Sequence, residues 1–158
     1  KLEGRTLLLG SGGLSHEPPV PLMEDCDPAV RERITVRTEI TDEIRRRKIE
    51  GALAAGRALA AGSPVMKPLN AEWDMRWMDA IERADLSYFA KLTEDAITRE
   101  AGRSGHESKT WLIGRAALPA DVSGCAFRHY QAIDELIAGF GLMFVDGSDK
   151  RENGEPHA

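Results

Sequence analysis

The chain has 158 residues, 42% hydrophobic and 30% charged, the proportions of an ordinary globular protein with enough length for one domain and its own core. Lys and Arg number 21 against 26 Asp and Glu, and a net charge of −5 leaves no basic excess to neutralise a phosphate backbone, which argues against nucleic acid as a partner. No apolar run approaches the ~18 residues of a membrane span, no charged-then-apolar leader opens the chain, and two cysteines, Cys26 and Cys125, cannot form a disulfide scaffold, so a cytoplasmic protein away from membranes is expected.

Thr6-Leu7-Leu8-Leu9-Gly10, close behind Lys1, is a short apolar run ending at a Gly/Ser cluster and reads as a buried strand. Such a strand needs neighbours on both sides, so either later segments supply them or the chain is the back half of a longer protein. Gly10-Ser11-Gly12-Gly13-Leu14-Ser15-His16 follows as a loop, and Pro18, Pro19 and Pro21 stiffen what comes next. Residues 22–40 are mixed in charge and read as a surface excursion. Thr41-Asp42-Glu43 predicts a helix start, with Ile44, Ile49, Leu53 and Leu59 at a loose helical period as far as Ala61, before Gly62-Ser63-Pro64.

Asn70 caps a predicted helix bearing Trp73, Trp77, Met78 and Ile81, and Thr93-Glu94-Asp95 starts another that ends at Gly102. A further helix is predicted from His106 to Leu118, carrying Trp111, Leu112 and Ala116, and a short last one from Glu135 to Phe140. The segment Phe127-Arg128-His129-Tyr130 fits strand or loop. From Gly147 the polar, glycine-containing sequence reads as a disordered tail, giving one domain over 1–146 and a tail over 147–158. The expected fold class is α/β and helix-rich, one strand followed by about five helices.

Of the four histidines, His16 stands apart, because it closes a glycine-rich turn immediately after a strand. Ligands in open α/β sheets collect beyond the carboxyl ends of strands, and an imidazole with a pKa near ~6.5 suits proton transfer at neutral pH. The bland reading of His16 is a loop cap bonded to a backbone carbonyl. His129 among aromatics reads as a packing residue, and His157 lies in the tail. Glu107, beside His106, reads by itself as a first-turn acid complementing a helix dipole. No two histidines have metal-ligand spacing within one segment, and neither cysteine has a partner pattern. Gly10–Gly13 could cradle a phosphate, but the prolines that follow remove the donors and the helix start that such a site uses. Trp73 and Trp77 could form the face of a non-enzymatic module that binds a partner protein, although Trp at helical spacing is more often core.

The string Leu7-Leu8-Leu9-Gly10-Ser11-Gly12-Gly13-Leu14-Ser15-His16-Glu17-Pro18-Pro19-Val20-Pro21 resembles the segment that holds the acid/base histidine of class III extradiol ring-cleavage dioxygenases. The resemblance continues through Pro68-Leu69-Asn70-x-x-Trp73-Asp74 and Ala101-Gly102-x-Ser104-x-His106-Glu107-x-Lys109-Thr110-Trp111. It extends to Tyr130 and Ile137-Ala138-Gly139-Phe140-Gly141, in order over almost the whole chain.

That resemblance implies the helix-rich C-terminal portion of a LigB-like α/β fold, and an iron(II) enzyme that opens a catechol ring of the 2,3-dihydroxyphenylpropionate kind with O2. It places Glu107 on the carboxylate ligand of a two-histidine, one-carboxylate iron site, and His16 on the histidine that delivers a proton during ring opening. Gly12 and Gly13 would let the backbone approach substrate, with Pro18 holding the loop beside it. Family members are about twice this long, and their iron-binding histidines lie in an N-terminal half that has no counterpart here. The expected partners are therefore catechol, O2, that N-terminal half and further copies in a homo-oligomer, with the isolated chain inactive. Glu107 is expected to be desolvated beside the strand end.

Overall fold

A computed structural model of the chain describes residues 7–36, 39–119, 122 and 124–145. The proposed tail over 147–158, with His157, lies outside the described residues, as does Thr6 at the start of the predicted strand. Six helices are described: α1 (Pro28–Thr35), α2 (Asp42–Ala60), α3 (Ala71–Arg83), α4 (Leu86–Lys91), α5 (Glu94–Ala101) and α6 (Lys109–Ala116). A 3-10 turn, Arg103–Ser108, leads into α6, and two strands, β1 (Phe127–Ile133) and β2 (Ala138–Phe144), pair antiparallel around a second such turn, Asp134–Leu136.

Side-chain capping sets the starts of α1 to α5, while α6 continues directly from the 3-10 turn. Thr41 Oγ1 accepts from the Ile44 N–H, Asn70 Oδ1 from Trp73 and Thr93 Oγ1 from Ala96, so α2, α3 and α5 begin where their side-chain acceptors meet otherwise unpaired N–H groups. The same device builds α1 inside the predicted surface excursion: Asp27 accepts from Val30, and Pro28 supplies a helical φ at the first position. Asp85 starts α4 in the same way.

Burial concentrates on one face of α3. Trp73, Trp77, Met78 and Ile81 pack with Leu14, Ile97 and Ala101, and Tyr130, Trp111 and Met143 close over them. Trp73 and Trp77 stack with ring centroids 5.1 Å apart and each is 1% exposed. The tryptophan face is therefore core, and a partner protein has no access to it. α2 behaves differently: Ile49 and Leu53 are about half exposed, and only its last turns dock, with Ala55 and Leu59 against Ile137. Ile137 holds a positive φ of 57°, a strained conformation for a β-branched residue. The conformation costs about 1–2 kcal/mol, and full burial of an isoleucine contributes about 1.5–3 kcal/mol, so packing wins.

Two predicted elements differ. Residues 7–10 lie outside any sheet, with Leu7, Leu8 and Leu9 exposed, because the only strands among the described residues pair with each other. The segment that follows the apolar run meets α6 from Gly10 onward and joins the hairpin where the Leu14 N–H donates to the Gly139 carbonyl and the Gly139 N–H to that of Ser15. The predicted last helix over Glu135–Phe140 is instead the turn and the first half of β2: the glycines at 139 and 141 sit against Asp74 and Trp111, where a side chain would collide. The register Phe127↔Phe144, His129↔Leu142, Gln131↔Phe140 sends one face of the hairpin to the core and leaves the apolar side chains of the other exposed. No helix among the described residues is long and apolar enough to cross a membrane.

α3 ends on Ala84 in the left-handed conformation, φ 50° and ψ 42°, a position that glycine usually fills. Ala84→Gly is expected to raise unfolding stability by about 0.5–1 kcal/mol, because relief of the Cβ clash exceeds the entropy glycine adds to the unfolded chain. Denaturant melts of the two proteins check this, and equal or lower stability of the variant refutes it.

Candidate functional site

Ninety-one positions separate His16 from Glu107 in sequence, and the fold brings them side by side: His16 Nε2 stands 3.8 Å from Glu107 Oε2. That distance is too long for a direct hydrogen bond. The carboxylate oxygen also accepts, weakly, from the Gly13 N–H at 3.4 Å. The imidazole is mostly buried, 13% exposed, whereas the Glu107 side chain is 61% exposed. The expected desolvation of Glu107 is thus not seen: it projects from the 3-10 turn ahead of α6, and nothing in the described chain covers its outer side.

The two site segments are joined along their length. The His16 N–H donates to the Ala101 carbonyl at 2.8 Å. Arg103 Nε bonds Glu17 at 2.7 Å, fastening the residue after His16 to the turn that carries Glu107. Thr110 Oγ1 donates to the Ser11 carbonyl at 2.7 Å, and Trp111 Nε1 to that of Gly12 at 2.9 Å. Helix α6 therefore holds the glycine loop by its carbonyls.

Glycine is required here for space. A Cβ on Gly12 would fall 2.1 Å from the Glu107 carbonyl oxygen, and one on Gly13 would fall 2.6 Å from the His16 ring. The room both residues open is filled by the protein's own atoms. Pro18 lines a shallow crevice with Glu17, Pro19, Lys67 and Arg103, whose walls include neither His16 nor Glu107.

His16 Nδ1 lies 2.8 Å from the Leu14 carbonyl oxygen. A carbonyl only accepts, so Nδ1 carries the hydrogen and Nε2, the nitrogen facing Glu107, is the one free to take up or release a proton. The other histidines are placed elsewhere. His106 bonds Thr98 Oγ1 at 2.8 Å and sits 3.0 Å from Glu94, which also holds Lys109. His129 is exposed on the outer face of the hairpin.

Three further residues support the loop. Asp74 is fully buried, and its carboxylate accepts from the Ser15 N–H, Ser15 Oγ and Tyr130 Oη, each at 2.7 Å. Ser15 Oγ in turn accepts from the Asn70 N–H at 2.9 Å. Burial pushes the Asp74 carboxyl above its ordinary 3.8, against the opposing pull of those donors. In sequence, Asp74 stands only as the last residue of the string Pro68-Leu69-Asn70-x-x-Trp73-Asp74, with no role attached. The signal that marks it is its place within the apolar stripe of α3, at Asp74, Trp77, Met78 and Ile81, where an unpaired charge is costly.

The glycine loop does not form a phosphate cradle. No helix begins at it, and the Gly13 N–H points at a carboxylate, which would repel an anion. Among the described residues, no group of three or more His, Cys, Asp or Glu could hold a metal ion. Glu107 has free lone pairs and fits as one oxygen ligand, but the described chain does not close a metal site.

Residues 1–144 match the family described as the catalytic LigB subunit of aromatic ring-opening dioxygenase. A 2,3-dihydroxyphenylpropionate/2,3-dihydroxicinnamic acid 1,2-dioxygenase of Comamonas testosteroni is 56% identical over 142 residues, covering 89% of this chain and 44% of the relative. Proteins of the same name from Burkholderia vietnamiensis and Mycolicibacterium paratuberculosis are 44% and 39% identical, with 45% and 46% of their lengths covered. The chain thus spans a little under half the length of these curated relatives.

Both tyrosines, Tyr88 and Tyr130, are held above the ordinary phenol value of 10.0 by burial, and Tyr130 further by its bond to Asp74. A folded pKa raised above the unfolded one adds stability that is complete below about pH 10 and is lost as pH climbs through the raised value. Alkaline unfolding is therefore expected above pH ~10, and Tyr130→Phe is expected to make stability less sensitive to pH in that range. Spectrophotometric titration of the phenols checks this, and phenolate appearing at the ordinary pH with the fold intact contradicts it.

Proposed function

The chain belongs to the family of the catalytic LigB subunit of aromatic ring-opening dioxygenase, and on that premise we propose that it is the C-terminal part of an iron(II)-dependent extradiol dioxygenase. In this reading His16 is the acid/base group and Glu107 the carboxylate ligand. The substrate is a catechol of the 2,3-dihydroxyphenylpropionate kind, the compound for which its relatives are named. The observation that carries the reading is the facing pair, His16 Nε2 and Glu107 Oε2 at 3.8 Å, with Nδ1 tied back to the Leu14 carbonyl.

Each residue then has a task that its chemistry suits. The fixed Nδ1–H leaves Nε2 as the one nitrogen that exchanges a proton, accepting it from a catechol hydroxyl and returning it to an oxygen as the ring opens. Burial of most of the imidazole limits its freedom to turn, and a region seated over the exposed Glu107 would exclude water from the path of that proton. Glu107 supplies one hard anionic oxygen, and two imidazoles from outside this chain would complete the set that selects iron(II). Iron bound there would supply Lewis-acid activation of the catechol. Gly12, Gly13 and Pro18 border the substrate in this reading. The exposure of Glu107, in a chain that spans under half the length of its relatives, supports a partner region seated over it, which in this reading is the N-terminal half that the family resemblance implies. A cytoplasmic location and homo-oligomeric assembly belong to the same reading, which the two free cysteines suit.

On its own the chain is expected to show no ring cleavage and only weak iron binding, since a single carboxylate competes poorly with water. In the full-length enzyme carrying this segment, Glu107→Ala should purify without iron, and wild-type iron content in that variant rejects the ligand assignment. His16→Ala should retain iron while kcat falls by ~10². Undiminished turnover rejects the acid/base role.

A further inference from the structure

One peptide unit connects a buried charge to the imidazole. The N–H of the Leu14–Ser15 peptide donates to Asp74 Oδ1 at 2.7 Å, and the carbonyl of that same peptide accepts from His16 Nδ1 at 2.8 Å. In a trans peptide the two groups point in opposite directions, so carboxylate, amide and imidazole form a chain of two hydrogen bonds through one rigid plane. We propose that Asp74 is the positioning residue for His16, holding the ring against Glu107 by gripping and polarising the Leu14–Ser15 peptide. The proposal rests on the reading of His16 given above.

Three features make the grip specific. Every polar group of Ser15 is committed: N–H and Oγ–H to Asp74, Oγ as acceptor to Asn70, carbonyl to the Gly139 N–H. Leu14 and Ser15 are both buried, 0% and 1% exposed, so the peptide between them has no water to turn to. A Cβ on Gly139 would fall 2.1 Å from Asp74 Oδ2, so the carboxylate is walled in as well. A charged acceptor draws electron density through the amide, and hydrogen bonds linked in this way strengthen one another. The Leu14 carbonyl becomes the better acceptor for Nδ1–H, and Nε2 stays pointed at the space shared with Glu107. An asparagine at this position could still accept from Ser15 but would carry no charge to polarise the peptide.

The test is a double-mutant cycle in the full-length enzyme carrying this segment. Asp74→Asn is expected to lower kcat about tenfold, with KM and iron content unchanged, and to lower it no further in a His16→Ala background. A second readout is the His16 Nδ1–H proton in 15N-histidine NMR, which should exchange with water about tenfold faster in Asp74→Asn. Ser15→Ala removes one of the two Asp74 bonds to that residue and serves as the milder variant if Asn is not tolerated. Its loss in kcat should be smaller and should likewise vanish without His16. An equal loss with and without His16 shows a purely structural role and overturns the proposal, as does an unchanged kcat together with an unchanged Nδ1–H signal. A fully active His16→Ala enzyme removes the underlying reading as well, and so the two failures are told apart.

Discussion

The buried carboxylate of Asp74 is the point on which three pieces of the chain depend. It sits on α3 and receives the Ser15 N–H and hydroxyl from the glycine loop and the phenol of Tyr130 from β1. An ionised carboxylate without partners would be costly at this depth. With three donors its cost is offset, but none of them is dispensable, because a buried polar group left unpaired costs about 1–3 kcal/mol. Helix, loop and hairpin therefore meet at one shared polar node, to which the backbone bonds between Leu14, Ser15 and Gly139 and the Arg128 pairs with Asp79 and Glu82 add further ties. The hydrophobic contacts around Trp73 and Trp77 supply cohesion without direction; the carboxylate supplies the direction.

The same node sets the geometry of the site. Leu14 anchors the loop in the core, Ser15 locks it to Asp74, and His16, next in the chain, faces the turn that carries Glu107. The Glu17–Arg103 ion pair and the hydroxyl and indole of Thr110 and Trp111 close the seam from the other side. Rigidity is thus built from polar contacts at the centre and from exposed ones at the rim, where each pair is worth little by itself.

How much of this is legible in sequence depends on whether the signal is local. The starts of α2, α3 and α5 are, because Thr41, Asn70 and Thr93 cap their own neighbours. Asp27-Pro28 carries the same signal for α1, but the mixed charge around it hides the helix. The hairpin is less legible: Gly139 and Gly141 weaken the strand pattern, and their reason for being glycine, the nearness of Asp74 and Trp111, comes from distant parts of the chain. The run at Leu7–Leu9 is apolar enough for a strand, yet pairing is not a property of the run itself. For the site, position alone marks His16 and leaves Glu107 as an ordinary helix acid; the family resemblance is what singles Glu107 out. Asp74 stands within the matched string Pro68-Leu69-Asn70-x-x-Trp73-Asp74 but gains no role from it, since its importance lies in contacts to Ser15 and Tyr130, each more than fifty residues away.

The crowding around the histidine bears on how saturation mutagenesis of this family would read. Gly12, Gly13 and Gly139 each lack room for even a methyl group, and Gly102 holds a positive φ with its space taken by the His16 carbonyl. A library scored for fitness would return an island of intolerant positions spread over His16, Glu107 and Asp74, with the outline of a ligand footprint. Steric exclusion by the protein's own backbone and side chains is sufficient to draw that outline, so for these four glycines intolerance to substitution cannot by itself stand as a sign of contact with a bound molecule.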